Sequence, residues 1–224
     1  MRTRAAAVAA LSIMSGAAHA DMLSGLGATH VYGPVAREIA VPTDEEVLAV
    51  WPAAAKQKSL GGSAVMHCVT DGAGGVADCR LTLERSHAGF GQALLSLAPK
   101  YRLPAGAKSS GEDVVITATW PAPDTPVTWE KPPKAGDFAT SATVAAWRAG
   151  SKGQAVMNCM TARMGSLHDC TVVYQSPAGK GFGTMALRFQ GFLRLKPATL
   201  AGKPIESGLD IVFNFEPPAP GETP

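Results

Sequence analysis

The sequence predicts an α+β protein made of two repeated β-β-α-β modules, each an antiparallel sheet packed on a helix with one disulfide inside a hairpin. Three observations predict this class. The chain repeats itself at an offset of 91 to 92 residues, apolar residues alternate with period two around the cysteines, and each repeat has one apolar stripe at helical spacing.

The four cysteines mark the repeat. Cys68 and Cys79 are separated by 11 residues, and Cys159 and Cys170 are separated by 11 as well. The neighbouring sequences agree in the same order, so chance similarity is a poor explanation. The matching segments are Gly62–Cys68 with Gly153–Cys159, Val76–Cys79 with Leu167–Cys170, Gly89–Gly91 with Gly181–Gly183, and Tyr101–Leu103 with Leu193–Leu195.

Each repeat shows the pattern strand, strand, helix, strand. In the first repeat Ala64, Met66 and Cys68 share one face of a strand, and Val76–Glu84 is the second strand after a Gly-rich turn. The helix stripes and last strands follow in both copies. They comprise Phe90, Leu94, Leu97, Ala98 and Tyr101 before Asp113–Trp120, and Phe182, Met185, Ala186, Phe189 and Leu193 before Leu209, Ile211, Phe213 and Phe215.

The first twenty residues have the pattern of a cleavable secretory signal. Arg2 and Arg4 precede the short apolar stretch Ala5–Ala18, and Ala18-His19-Ala20 is a small-x-small cleavage site. This predicts export to the periplasm, where partners could associate the chain with the outer or inner membrane. Removing two arginines takes the formal charge from +2 to zero, so neither nucleic acid nor an anionic membrane is expected as partner.

Composition shifts divide the rest of the chain. Five prolines lie between Pro121 and Pro133 and predict an extended linker. In the N-terminal segment, Val31–Tyr32 and Glu38–Val41 are candidate short strands. Thr43 and Glu46 form a capping-box pattern that predicts a short helix over Asp44–Val50, and Pro52 suits the first turn of another helix. The predicted parts are 1–20 signal peptide, 21–42 N-terminal segment, 43–120 first module, 121–143 linker, 144–216 second module and 217–224 loose tail.

Pairing each cysteine with its partner inside one hairpin is favoured among the three possible connectivities. Cys68 then faces Cys79, with Val69 opposite Asp78, and Cys159 faces Cys170 in the same register. The alternative is a metal site that uses His67 or His168 beside the cysteines, or copper bound by methionines. Neighbouring residues on a strand point to opposite faces, so a shared centre for His67 and Cys68 is disfavoured, and no metal or other cofactor is expected.

The residues around the first helix resemble a known family. Trp51–Ala55, followed by Leu60 and Gly62, resembles the aromatic-Pro-x-x-Ala opening of the C-terminal domain of TonB-type energy transducers, where a glycine precedes the first long strand. The resemblance covers 51–120 well and 147–215 more loosely, with Ala73-Gly74 where the family has Asp-Gly. Its other segments are Tyr101–Pro104 and Leu193–Pro197 at the helix ends and Ala201–Pro204 before the last strand.

The resemblance implies a protein-binding surface, because domains of this family pair their last strand with an extended peptide of an outer-membrane transporter. Such pairing uses the unpaired main-chain groups of a sheet edge. The expected partner is an outer-membrane transporter or envelope protein, with a homodimer as a possibility. The candidate edge residues are Val115, Thr117 and Thr119 in the first module and Ile211, Val212 and Phe213 in the second. Pairing of these edges with each other or with the N-terminal segment stays open.

Catalytic motifs are absent from the sequence. Gly179–Gly183 lies between a strand and a helix, but its spacing differs from a phosphate-binding loop, and Ala88–Gly91 replaces it without the lysine in the first repeat. No catalytic residue and no small-molecule substrate is expected. Three hypotheses remain: a TonB-like binding module, an envelope scaffold whose copies pair with each other or dimerise, and an enzyme of unrecognised type.

Overall fold

The computed structural model describes residues 29–104, 110–120, 125–131 and 150–215. Its antiparallel sheets and few helices confirm the α+β class. The predicted signal peptide, most of the predicted linker and the predicted tail lie outside the described residues. Within those residues no helix has the length and apolar character that crossing a bilayer requires.

The first sheet contains four antiparallel strands in the order β1-β4-β2-β3. Its strands are β1 Thr29–Tyr32, β2 Gly62–Thr70, β3 Val76–Glu84 and β4 Asp113–Trp120. Helix α3, Phe90–Leu97, packs on β2 and β3. Two short helices, α1 Asp44–Ala49 and α2 Ala53–Gln57, connect β1 to β2.

The second sheet contains three antiparallel strands in the order β11-β6-β7. Helix α4, Phe182–Phe189, packs on β6 and β7. Two small ribbons accompany this sheet, and each pairs two short strands. The strands are β5 Thr128–Lys131, β6 Gly153–Thr161, β7 Leu167–Ser176, β8 Arg194–Lys196, β9 Thr199–Leu200, β10 Lys203–Pro204 and β11 Ser207–Phe215.

Apolar residues alternate along the strands, so each sheet has an apolar face toward its helix. Two separate helix-facing cores result. Phe90 lies against Trp120 in the first core, with ring centroids 5.4 Å apart, and Phe182 lies against Phe215 in the second, at 4.9 Å. A Cβ on Gly62 would overlap the Phe90 ring, and a Cβ on Gly153 would overlap the Phe182 ring. Glycine at the start of β2 and β6 therefore lets each aromatic ring approach the sheet.

The capping-box prediction is confirmed. The Glu46 amide donates to Thr43 Oγ1 at 3.2 Å, and the Thr43 amide donates to Glu46 Oε2 at 2.9 Å. Lys100 Nζ donates to Glu46 Oε1 at 2.7 Å, and this hydrogen bond, with the Thr43 amide, lowers the pKa of Glu46. Helix α1 is thus tied to the 3-10 turn that follows α3.

The two predicted disulfides are confirmed, Cys68 to Cys79 and Cys159 to Cys170, each with 4.1 Å between Cα atoms. The predicted hairpin register is wrong by one residue on the loop side, because Val69 pairs with Ala77 and not with Asp78. Asp78 is the extra residue of a β-bulge with φ of 50°, and Asp169 has the same φ in the second hairpin. Aspartate tolerates this left-handed conformation better than most residues.

Residues 29–32 of the predicted N-terminal segment form a strand of the first sheet. The predicted strand at Val31 and Tyr32 is confirmed within β1, which pairs with β4. The possible strand at Glu38–Val41 reduces to one bridge between Ala40 and Arg102, preceded by a turn of 3-10 helix. Thr29 Oγ1 donates to the Thr117 carbonyl at 2.7 Å, which leaves the Tyr101 hydroxyl to donate to Thr29 at 2.6 Å.

Removing one disulfide should lower the free energy of unfolding. Cys159→Ala with Cys170→Ala opens a short loop, and the chain-entropy model gives a loss of about 2–3 kcal/mol. Urea unfolding measures it, and Cys68→Ala with Cys79→Ala is the matched control because both bridges span 11 residues. Unchanged stability in both variants would contradict a stabilising role for the bridges.

Alkaline pH should weaken the attachment of β1. Burial raises the pKa of Tyr101 above its ordinary value of 10.0, and the hydrogen bond with Thr29 opposes this rise. The folded state therefore holds a proton that the unfolded chain releases above pH 10. The contribution of protonated Tyr101 to the free energy of unfolding is fully present below about pH 10. Above this pH the free energy of unfolding falls by up to about 1.4 kcal/mol per pH unit.

The Tyr101→Phe variant checks this sign. It loses one buried hydrogen bond, worth about 1 kcal/mol at neutral pH, and it no longer titrates at this position. Urea unfolding at pH 8 and pH 11 should show the stability difference between wild type and variant shrinking at the higher pH. A difference that stays constant would mean that Tyr101 does not titrate with unfolding.

Candidate functional site

Strand β4, the first predicted partner-binding edge, is an inner strand for half of its length. Val115 pairs with Tyr32, and Thr117 pairs with His30. The prediction of an open edge is therefore wrong for residues 115–118, and the alternative of pairing with the N-terminal segment holds there. The physical reason is that Val31 packs against the first core while Thr29 is held by Tyr101. Thr119 lies just beyond the paired stretch.

Strand β11, the second predicted edge, pairs with β6 on one side. Within the described residues, no strand pairs with the other side of β11. The predicted residues Ile211 and Phe213 lie in the second core, and Val212 lies between the two sheets. All three side chains are buried, so only the main chain of β11 is suited to contact a partner at this edge.

The two strands occupy matching positions. Cys68 pairs with Val114 of β4, and the repeat partner Cys159 pairs with Leu209 of β11. By this register, the stretch Val115–Ala118, which β1 covers, corresponds to Asp210–Phe213. Matching strands of the two sheets thus differ in whether a further strand lies alongside.

The faces of the sheets that point away from the helices pack against each other. The order of layers is therefore helix, sheet, sheet, helix. Tyr32 stacks on Tyr174 across the interface, with ring centroids 6.1 Å apart. The other apolar side chains of this layer are buried Val65, Val115, Val156 and Val212, with the partly buried Leu83 and Val173.

The centre of the interface is polar. Asp210 is 1% exposed, and its carboxyl group accepts three hydrogen bonds. Tyr32 Oη donates to Oδ2 at 2.9 Å, Thr117 Oγ1 donates to the same oxygen, and Asn158 Nδ2 donates to Oδ1 at 2.7 Å. Two of these donors come from the first sheet, so Asp210 joins strands that are far apart in sequence.

Asn158 extends the network to the edge of the interface. Its side-chain oxygen accepts from Ser63 Oγ at 3.1 Å and from Arg85 Nε at 3.3 Å. Arg85 also donates to Thr171 Oγ1 at 3.0 Å. Burial lowers the pKa of Arg85, and nearby Asp169 opposes this shift. These groups satisfy one another, as buried polar groups must.

Sequence reasoning missed this cluster, although one signal was present. Asp210 is an acidic residue inside an otherwise apolar strand pattern, and its repeat counterpart is Val115. A charged residue at such a position needs partners when it is buried. Nothing in the local sequence names those partners, because Tyr32 and Thr117 belong to the other half of the chain.

The alternative metal and phosphate sites have local explanations. Both disulfides together use all four cysteines. His168 lies 3.0 Å from Asp169 and 3.6 Å from Glu206, but the described residues contain no group of three ligands that could hold a metal ion. Gly181 has φ of 75° immediately before α4, and Gly89 has φ of 91° before α3, so both glycines serve a strand-to-helix turn.

Comparisons of the chain with protein-family models, curated proteins and solved structures find no match. The arrangement of the two sheets and their outer edges is therefore the basis for assigning a function.

The direct hydrogen bond across the interface predicts a strong energetic coupling between Tyr32 and Asp210. Tyr32→Phe should cost about 1–2 kcal/mol, and Asp210→Ala should cost about 3 kcal/mol or more because it leaves buried donors unpaired. In a double-mutant cycle by urea unfolding, the combined loss should be smaller than the sum by about 1 kcal/mol or more.

A matched control comes from a half-buried pair at the end of β11. Gln154 donates to Asn214 across β6 and β11 at 2.9 Å, away from the network, so Asn214→Ala should cost less than 1 kcal/mol. Additive losses at Tyr32 and Asp210 would contradict the direct hydrogen bond between the two halves.

Proposed function

We propose that the chain is an exported, non-enzymatic protein-binding protein that resembles the TonB C-terminal domain in two tandem β-β-α-β copies. Its partner is an extended segment of an outer-membrane transporter or another envelope protein, added as a strand beside β11. The two disulfides are consistent with export, because such bonds persist in oxidising compartments.

One observation carries the proposal: matching strands have unequal outer edges. A strand from the same chain covers β4 over Val115–Ala118, whereas β11 pairs only with β6 among the described residues. An edge strand presents unpaired N–H and C=O groups that an extended peptide can pair with. The edge at Asp210–Phe213 is therefore the better candidate for a partner.

Strand β1 is a template for the geometry of such a partner. It runs antiparallel to β4 for four residues, with Val31 opposite Ile116 and Thr29 opposite Ala118. The counterparts on β11 are Ile211 and Phe213. Leu193 replaces Tyr101 in the second core, so the hydroxyl that holds Thr29 has no counterpart. A partner strand should therefore be apolar at the two positions that face this core.

A scaffold role is the second candidate, and the sheet interface favours it. The two halves are held together by a buried polar cluster around Asp210 and an apolar layer that includes Tyr32 and Val212. A protein held in this way is suited to keep two surfaces at a constant distance. In this alternative, the outer edge of β11 pairs with a second copy of the chain or binds no other protein.

Site-specific photo-crosslinking in the exporting cell tests the proposal. The probe is placed at Asn214, which is half-buried on β11, because the side chains of Ile211, Val212 and Phe213 are buried. Thr119 is the matched control: it is half-buried at the equivalent position of β4. Mass spectrometry identifies the captured protein.

We expect Asn214 to capture a periplasmic segment of an envelope protein and Thr119 to capture none. Adding a peptide of the captured segment should then protect β11 amides from hydrogen exchange, as main-chain pairing requires. Crosslinks only within the chain or between identical chains would reject the binding proposal and favour the scaffold.

A further inference from the structure

The second half of the molecule exposes two large apolar side chains at one end. Met164, at the tip of the β6–β7 hairpin, is 92% exposed, and Phe192, just after α4, is 60% exposed. We call these two residues the apolar tip. They are the most exposed large hydrophobic side chains in the described residues, and exposed apolar groups of this kind mark interaction sites when they cluster.

Local packing brings the two residues to the same end. A Cβ on Gly165 would overlap the Leu195 carbonyl oxygen, so the hairpin tip lies directly against β8. Gln190 Nε2 donates to the Leu167 carbonyl at 3.3 Å, which ties the turn before Phe192 to the start of β7. The hairpin and the segment after α4 therefore form one surface.

Exposed cations surround the apolar tip. Arg163 precedes Met164, and Arg194 and Lys196 flank the buried Leu195 on β8. Lys131 of β5 pairs with Arg194. We call these four residues the cationic rim. All four are exposed, and within the described ranges none of them forms an ion pair. Glu130 is the acidic residue next to them on β5.

The corresponding end of the first half lacks this combination. Gly72 and Ala73 stand at the positions of Arg163 and Met164, and Lys100 stands at the position of Phe192. Lys100 is paired with Glu46 at 2.7 Å. Ala40 and Pro104 replace Lys131 and Lys196, so Arg194 is the one rim cation with a cationic counterpart, Arg102. The repeat thus contains its own comparison surface.

We infer that the apolar tip and cationic rim dock the protein on the surface of an anionic lipid bilayer. Met164 and Phe192 enter the interfacial region, and the cations remain at the level of the headgroups. The net charge of the chain gives no indication of this, because acidic residues elsewhere balance the rim.

The shape of the surface favours a bilayer over an acidic peptide. An apolar residue at a hairpin tip projects outward, and a deformable lipid surface accommodates such a projection. A peptide instead needs a groove or an open strand edge. The proposed partner edge lies along Asp210–Phe213 of β11, whereas the apolar tip lies at the β6–β7 turn and just after α4, so lipid docking and strand addition use different parts of the second half.

Co-sedimentation with vesicles tests the inference on the full, disulfide-bonded chain. One vesicle preparation contains equal parts of phosphatidylglycerol and phosphatidylcholine, and the other contains phosphatidylcholine alone. The first variant is Met164→Ser with Phe192→Ser, which changes no charge, and its control is Ala73→Ser. The second is Arg163→Gln with Lys196→Gln, and its control is Lys56→Gln with Lys58→Gln, at exposed positions in α2 and just after it.

We expect binding to the anionic vesicles that falls at least tenfold in the serine variant. A cation near an anionic leaflet strengthens binding about fivefold, so two lost rim cations should weaken it on the order of twentyfold. Both controls should bind like wild type, and circular dichroism should show all variants folded. An equal loss of vesicle binding in the rim variant and in its lysine control would show that only the total charge of the protein matters, and it would overturn the inference. Absence of vesicle binding, or binding to a polyglutamate peptide instead, would overturn it as well.

Discussion

The stacking of the two sheets depends on how the polar groups between them are satisfied. Asp210 is buried on a strand of one sheet, and two of its three hydrogen-bond donors belong to the other sheet. A buried carboxyl group without partners would oppose folding, so the sheets are held in the one orientation that supplies Tyr32 and Thr117. The same contact requires β1 beside β4, since Tyr32 is the last residue of β1. The interface thus holds β1 beside β4 together with the core contact of Val31 and the hydrogen bond of Thr29 with Tyr101.

This constraint separates what the sequence could predict from what it could not. Elements that depend on neighbours in the chain were predictable: the hairpin disulfides, the capping box at Thr43 and the helix stripes beginning at Phe90 and Phe182. The one-residue error in the hairpin register came from Asp78, whose left-handed conformation adds a bulge that alternation does not reveal. The contact of Tyr32 with Asp210 joins residues separated by 178 positions, and no local pattern encodes such a pair.

The two halves of the chain differ at matching positions, and these differences give them different surfaces. Matching positions hold Val115 and Asp210, Tyr101 and Leu193, and Ala73 and Met164. In the first pair, Asp210 supplies the polar centre of the interface. In the second pair, Leu193 lacks the hydroxyl with which Tyr101 holds β1. In the third pair, Met164 places an apolar residue at a hairpin tip. The first half thereby covers its own edge and stabilises the tandem, while the second half keeps the features suited to a partner and to a lipid surface.

The proposed function requires that the outer edge of β11 is available while the edge of β4 is occupied. Native-state hydrogen exchange of the free protein, resolved by NMR for each amide, tests this difference without knowledge of the partner. We expect the outward-facing amides of Asp210–Phe213 to exchange through local fluctuations, whereas the β4 amides that face β1 should exchange only on global unfolding. Equally slow exchange in both strands would show that the β11 edge is already occupied and would overturn the proposed function.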